Sequence, residues 1–89
     1  MSQVIGDPDE LERFAAALTQ FLDHIEEARG GLDSAFGHVS ESWQDSKQAQ
    51  FEEEYRALSS QLASFEASAR DHVPYLAGLA SRLREYLGS

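Results

Sequence analysis

Apolar residues recur in two long stretches of the chain, with gaps that alternate between three and four residues. Such spacing is typical of helices that pack side by side, whereas a half-buried strand needs strict alternation. The pattern therefore predicts an all-α protein with two long helices. The first seam consists of Leu11, Phe14, Leu18, Phe21, Ile25, Ala28, Leu32, Ala35 and Val39. The second seam consists of Phe51, Tyr55, Leu58, Leu62, Phe65, Ala69, His72, Leu76, Leu79, Leu83 and Tyr86.

Helix-capping residues set the start of the first helix. Asp7 can accept a hydrogen bond from the backbone N–H of residue 10, and Glu10 can reach back to complete a capping box. Pro8 then occupies the first helical position, where its missing N–H costs nothing. These features predict a first helix over about 8–39.

A second capping box opens the second helix. Asp45 is followed three residues later by Gln48, which predicts a helix over about 46–87. Pro74 lies well inside this helix, where it removes a backbone hydrogen bond. We expect a kink near 70–74, with a break into a short third helix as the alternative.

A turn of about six residues makes the two helices antiparallel neighbours, so residues 1–89 form one helical-hairpin domain. Several apolar residues beside the seams widen the apolar stripe of each helix. These are Leu22 and Phe36 in the first helix, and Val73, Ala80 and Leu87 in the second. A stripe of this width needs two neighbouring helices, as in a four-helix bundle. Because the chain has only two helices, we expect it to dimerise through these residues.

The charge balance narrows the choice of partners. The chain has 7 Lys and Arg against 16 Asp and Glu, a net charge of −9, which disfavours nucleic acid and anionic membrane surfaces. No apolar run is long enough for membrane insertion. We expect the arginines of the second helix to pair with the acidic residues of the first. These arginines are Arg56, Arg70, Arg82 and Arg84.

The sequence offers few of the residue combinations that catalysis requires. The chain lacks cysteine, a nucleophile–histidine constellation and a glycine-rich phosphate loop. No histidine follows a glutamate at the Glu-x-x-His spacing of di-iron bundles. We therefore expect no enzymatic activity, no cofactor and no metal site.

Two residues are candidates for special roles. Trp43 lies in the turn, where it can plug the end of a bundle, form part of a groove for another chain's helix, or do both. His72 interrupts the second seam. We expect it to be at least half-buried, bonded to a backbone carbonyl freed by the kink, with a pH-sensitive switch as the alternative.

The acidic, cysteine-free hairpin with one tryptophan in its turn resembles the WXG family, the small ESAT-like proteins associated with type VII secretion. Trp43-Gln44-Asp45 stands at the place of the family's Trp-x-Gly motif and shares its tryptophan. The resemblance implies dimers with itself or with a sister hairpin protein, a secretion ATPase as partner, and export without a cleaved signal peptide. It also implies that Trp43, Gln44 and Asp45 form a partner-binding turn.

The sequence departs from the family pattern at two points. Asp45 stands where the family has glycine, and Tyr55 and Tyr75 are followed by Ser59 and Leu79 where the family's export motif has an acidic residue. We expect a cytoplasmic pool of the protein, with secretion depending on a partner that carries the signal. The alternative is a structural or adaptor bundle, or a small chaperone-like subunit, that stays in the cytoplasm.

Overall fold

The computed structural model describes residues 6–88 as two long helices in contact. Helix α1 spans Pro8–Ser42 and helix α2 spans Ser46–Gly88. The predicted all-α hairpin is confirmed. Helix α1 runs three residues beyond the expected end, which leaves a turn of only three residues, 43–45.

The start of α1 differs in detail from the predicted capping box. The Asp7 side chain accepts a hydrogen bond from the backbone N–H of Asp9, at 2.9 Å, and not from residue 10. Glu10 forms an ion pair with Arg13 at 3.1 Å instead of reaching back to the cap. The cap residue was therefore predicted correctly and its partners were not.

At the start of α2, the Asp45 carboxylate accepts a hydrogen bond from the backbone N–H of Gln48 at 2.9 Å. The Gln48 side chain is buried and donates to the Ser40 hydroxyl at 3.2 Å and to Glu52 at 3.1 Å. Asp45 is thus the predicted N-cap, while Gln48 ties the start of α2 to the end of α1.

The end of α1 is closed by the turn itself. The backbone N–H of Trp43 donates to the carbonyl of Val39 at 2.9 Å. The Gln44 side-chain amide lies 3.4 Å from the carbonyl oxygens of Ser40 and Glu41, which have no partner within the helix. Each residue of the turn therefore satisfies backbone groups at a helix end.

Helix α2 continues through Pro74 without interruption, so the alternative of a short third helix is wrong. The kink itself stays a prediction. The expected burial of His72 is also wrong, because its side chain is exposed. Its ring Nδ1 lies 2.8 Å from the carbonyl oxygen of Ser68, whereas the carbonyl that Pro74 leaves free belongs to Arg70.

The helices meet along a line of side chains spaced seven residues apart, which we name the interhelical row. It consists of Ala15, Leu22, Arg29 and Phe36 in α1, and Ser59, Glu66, Val73 and Ala80 in α2. Leu22 and Ala80 are completely buried. Because α2 is the element packed against α1 in the described residues, this burial places the row between the helices.

The hairpin is long and thin, with extents of 66 × 20 × 18 Å. Its radius of gyration is 20.1 Å, against about 12 Å for a compact domain of this length. The chain exposes 6715 Å², where a typical folded monomer of this mass exposes about 5,200 Å². None of the helices within residues 6–88 has the length and apolar character needed to cross a membrane.

Candidate functional site

A continuous apolar surface runs along one side of the hairpin, formed by both predicted seams. We name it the apolar face. It consists of Phe14, Leu18, Phe21, Ile25, Ala28, Leu32, Ala35 and Val39 from α1, and Phe51, Tyr55, Leu58, Leu62, Phe65, Ala69 and Leu76 from α2. Its large side chains are far from buried, since Phe14 is 58% exposed and Leu58 is 64% exposed. Such a surface is unusual for a monomer.

Helix geometry explains why the seams are left exposed. The interhelical row follows the Leu11–Leu18–Ile25 line by four residues, which places it about 40° further around α1. The helices approach each other through this row, so only the nearer members of each seam are partly covered. The further members, such as Phe21 and Phe65, point away from the contact and are about half exposed.

Three apolar grooves divide the apolar face. The central groove has a volume of about 410 Å³ and lies between Ile25 and Leu32 on one helix and Leu58 and Leu62 on the other. A groove of about 290 Å³ reaches the turn, where Trp43 lines it. A third groove, of about 370 Å³, lies towards the chain termini. Its lining includes Phe14, Leu18, Phe65, His72 and Leu76.

Aromatic rings cluster at the turn end of the apolar face. The ring centroids of Phe36 and Tyr55 lie 4.8 Å apart, and those of Phe51 and Trp43 lie 6.0 Å apart. Trp43 is half-buried against this cluster and still lines the groove beside it. Its side chain can therefore contact a second protein without leaving its place in the hairpin.

Charged residues bridge the helices along the opposite side. Arg70 and Arg84 each pair with two α1 carboxylates, as predicted. The partners are Asp23 and Glu26 for Arg70, and Asp9 and Glu12 for Arg84. Hydrogen bonds to Glu12 and then to Asp9 raise the pKa of Arg84. These ion pairs therefore connect the two helices on this side, and the apolar face lies away from them.

Arg56 and Arg82 do not follow the prediction, since within residues 6–88 neither forms an ion pair with α1. Arg56 pairs instead with Glu52 of its own helix, one turn earlier. Hydrogen bonds from Arg56 and then from Gln48 lower the pKa of Glu52. Arg56 fails to reach α1 because Glu52 lies nearer, at the favourable spacing of four residues.

Tyr55 connects the apolar face to the polar side. Its ring lies in the aromatic cluster, while its hydroxyl donates a hydrogen bond to the carboxylate of Asp33 on α1. This hydrogen bond is the largest cause of the raised pKa of Tyr55. The aromatic cluster is therefore tied to both helices and presents a fixed surface.

The residues that were expected to widen the apolar stripes do not lie beside the seams on the apolar face. Leu22, Phe36, Val73 and Ala80 lie in the interhelical row, whereas Leu87 is 57% exposed. Sequence reasoning missed the polar members of the row. The available signal was the spacing of seven residues, because it places Arg29 in line with Leu22 and Glu66 in line with Ala80.

The described part of the chain holds no group of three or more His, Asp or Glu side chains arranged to bind a metal ion. No protein-family model matches the chain, and no curated protein or solved structure matches it. The surface that distinguishes this hairpin chemically is therefore the apolar face, with Trp43 at one end.

Proposed function

We propose that this chain is a non-catalytic binding protein whose apolar face packs against a second helical hairpin to form a four-helix bundle. The observation that carries the proposal is the exposure of large apolar side chains along both helices on one side. The chain exposes about 1,500 Å² more surface than a typical monomer of its mass. The excess reflects a thin hairpin that leaves one side of both helices uncovered, and that side is where a partner would pack.

We further propose that the protein acts as a WXG-like substrate or partner of a type VII-like secretion system. The Trp43-Gln44-Asp45 turn supports this proposal, because Trp43 belongs to the turn and also lines the end of the apolar face. Asp45 replaces glycine without backbone strain, since no non-glycine residue in 6–88 has a positive φ. The turn therefore keeps the family's tryptophan in an accessible position.

Charge substitutions on the apolar face test the binding proposal. Phe21→Glu and Leu62→Glu each place a carboxylate among apolar side chains, and each is expected to abolish association. Glu53→Lys, on an exposed face of α2, is the control and should leave association unchanged. Sedimentation of the purified proteins measures this. Association that survives both substitutions on the apolar face would show that another surface is used.

Fractionation of the native cells tests the secretion proposal. We expect the protein in both the cytosol and the culture medium, with the extracellular fraction lost when the secretion ATPase is inactivated. If the protein is found only in the cytosol of cells with an active secretion system, the secretion proposal is wrong and the alternative of a cytoplasmic adaptor is retained.

Trp43 provides a separate test of the turn. Trp43→Ala is expected to leave the dimer folded and to weaken its binding to the secretion ATPase, since aromatic residues dominate many binding hot spots. Binding of unchanged strength would limit Trp43 to closing the end of the bundle.

A further inference from the structure

We propose that His72 makes association through the apolar face depend on pH, so that the complex forms at neutral pH and weakens on mild acidification. This inference rests on the proposed function, because it needs a second hairpin to cover the apolar face. It adds a regulatory property to that surface, and it is drawn from the place of one titratable side chain among apolar ones.

His72 stands in a line of apolar side chains on α2. It follows Phe65 and precedes Leu79, each at a distance of seven residues in the chain. Its exposed side chain lines the apolar groove towards the chain termini, opposite Phe14 and Leu18 of α1. A hairpin that packs on the apolar face would therefore cover the imidazole.

The hydrogen bond of the imidazole decides where a proton is gained. Its Nδ1 lies 2.8 Å from the carbonyl oxygen of Ser68. Because a carbonyl oxygen only accepts, Nδ1 carries the hydrogen, and Nε2 is the atom that gains a proton. The added charge would lose its contact with water when a partner covers the groove. Burying a charge without a counter-ion costs far more free energy than burying a neutral ring.

The surroundings of the imidazole offer no carboxylate to balance that charge. Among the described residues that line the groove, the other titratable one is Tyr75, and α1 contributes apolar side chains. Asp71 is adjacent in the chain but lies about 100° around the helix, away from the groove. Asp23 and Glu26 of α1 pair with Arg70 on the opposite side. The protonated ring would therefore oppose the partner.

The overall charge of the chain acts in the other direction. Two copies that each carry a net charge of −9 repel one another, and protonation of histidines reduces this repulsion. Without the effect of His72, association should thus be unchanged or slightly tighter at lower pH. Weakening on mild acidification is therefore a specific sign of a histidine that the partner covers.

Sedimentation of the purified chain at pH 7.5 and pH 5.5 tests the inference. The neutral form of an ordinary imidazole becomes about tenfold rarer over this range. The dissociation constant should therefore rise about tenfold for each His72 that is covered. Because Arg29 holds the pKa of Glu66 below 4.5, the ion pair between the helices persists at both pH values. Circular dichroism should accordingly show the same helix content at both.

Substitution of the histidines assigns the effect. His72→Gln keeps a polar side chain that does not titrate, and it should remove the weakening at pH 5.5. His72→Leu completes the apolar line and should associate more tightly than the original chain at both pH values. His24→Gln and His38→Gln, at exposed positions outside the groove, are the controls and should retain the weakening.

Four results would overturn the inference. The first is a dissociation constant that is the same at both pH values, and the second is a weakening that His72→Gln retains. The third is a complex that tightens at pH 5.5, which would show that the partner places a carboxylate beside the ring. The fourth is a chain that stays monomeric at both pH values. The first three retain the proposed function, which fails separately if Phe21→Glu and Leu62→Glu leave association intact.

Discussion

Arg29 of α1 and Glu66 of α2 are joined by two hydrogen bonds in the middle of the interhelical row, at 2.8 and 3.0 Å. Glu66 is only 5% exposed, so its charge is held away from water and depends on Arg29. Sliding one helix along the other by a turn would separate both groups. We interpret the pair as the contact that fixes how α1 and α2 align.

The stability of the hairpin should depend on pH through Glu66. Hydrogen bonding to Arg29 holds the pKa of Glu66 below its ordinary value of 4.5. Its ionised form therefore stabilises the fold above pH 4.5, and this contribution is lost as the pH falls through the lowered pKa. Glu66→Gln should destabilise the protein clearly at pH 7 and much less at pH 3. Urea unfolding at both values measures the difference.

Glu53→Gln, on an exposed face of the same helix, serves as the control for Glu66→Gln and should have little effect at either pH. An equal cost of Glu66→Gln at pH 7 and pH 3 would mean that the ionised pair does not stabilise the hairpin.

Among residues 6–88, Leu22 is the largest fully buried side chain. Leu22→Ala should lower the free energy of unfolding by about 2–5 kcal/mol, through lost apolar contacts and the cavity left behind. Gln20→Ala, on an exposed face of α1, should change it by less than about 0.5 kcal/mol. Both are measured at one protein concentration, because the proposed association would make stability depend on concentration. A cost for Leu22→Ala no larger than for Gln20→Ala would contradict the interhelical row.

Asp45 caps α2 through its side chain, so Asp45→Ala should destabilise the protein by about 0.5–2 kcal/mol. Asp45→Gly introduces the residue of the WXG motif and should cost only about a few tenths of a kcal/mol, because glycine is accepted at helix N-caps. Thermal unfolding of the two variants measures the ranking. Equal losses would show that the carboxylate does not act as a cap.

Trp43 is the only tryptophan and lines the groove at the turn end of the apolar face. Association should therefore cover its ring, and dilution below the dissociation constant should shift its fluorescence to longer wavelength. Phe21→Glu should show the long-wavelength spectrum at every concentration. If the mass of the particle falls on dilution and the emission maximum of Trp43 does not change, Trp43 lies outside the interface.

The alternating gaps predicted the two helices because apolar periodicity and capping residues are local properties of the chain. The same pattern could not show which side of each seam faces the other helix. Leu22 and Ala80 looked like flanking residues, yet they are the most buried ones. The two helices meet around the Arg29–Glu66 ion pair, which places Leu22 and Ala80 between them and leaves large seam residues such as Phe21 outside.

Polar contacts were harder to anticipate than the helices. The pairs of Arg70 and Arg84 with α1 follow from the unequal charge of the two halves, whereas Arg56 finds a nearer partner in Glu52. The spacing of seven residues places Arg29 and Glu66 in the interhelical row, but it does not pair them. Their pairing depends on how the two helices align, since the two residues are 37 positions apart in the chain.

Light scattering coupled to size exclusion, on the purified chain alone, tests the central claim most directly. The account predicts a helical species of twice the 9.9 kDa chain mass that dissociates on dilution. A stable, fully helical monomer of 9.9 kDa at high concentration would show that the apolar face needs no partner, and would contradict the account.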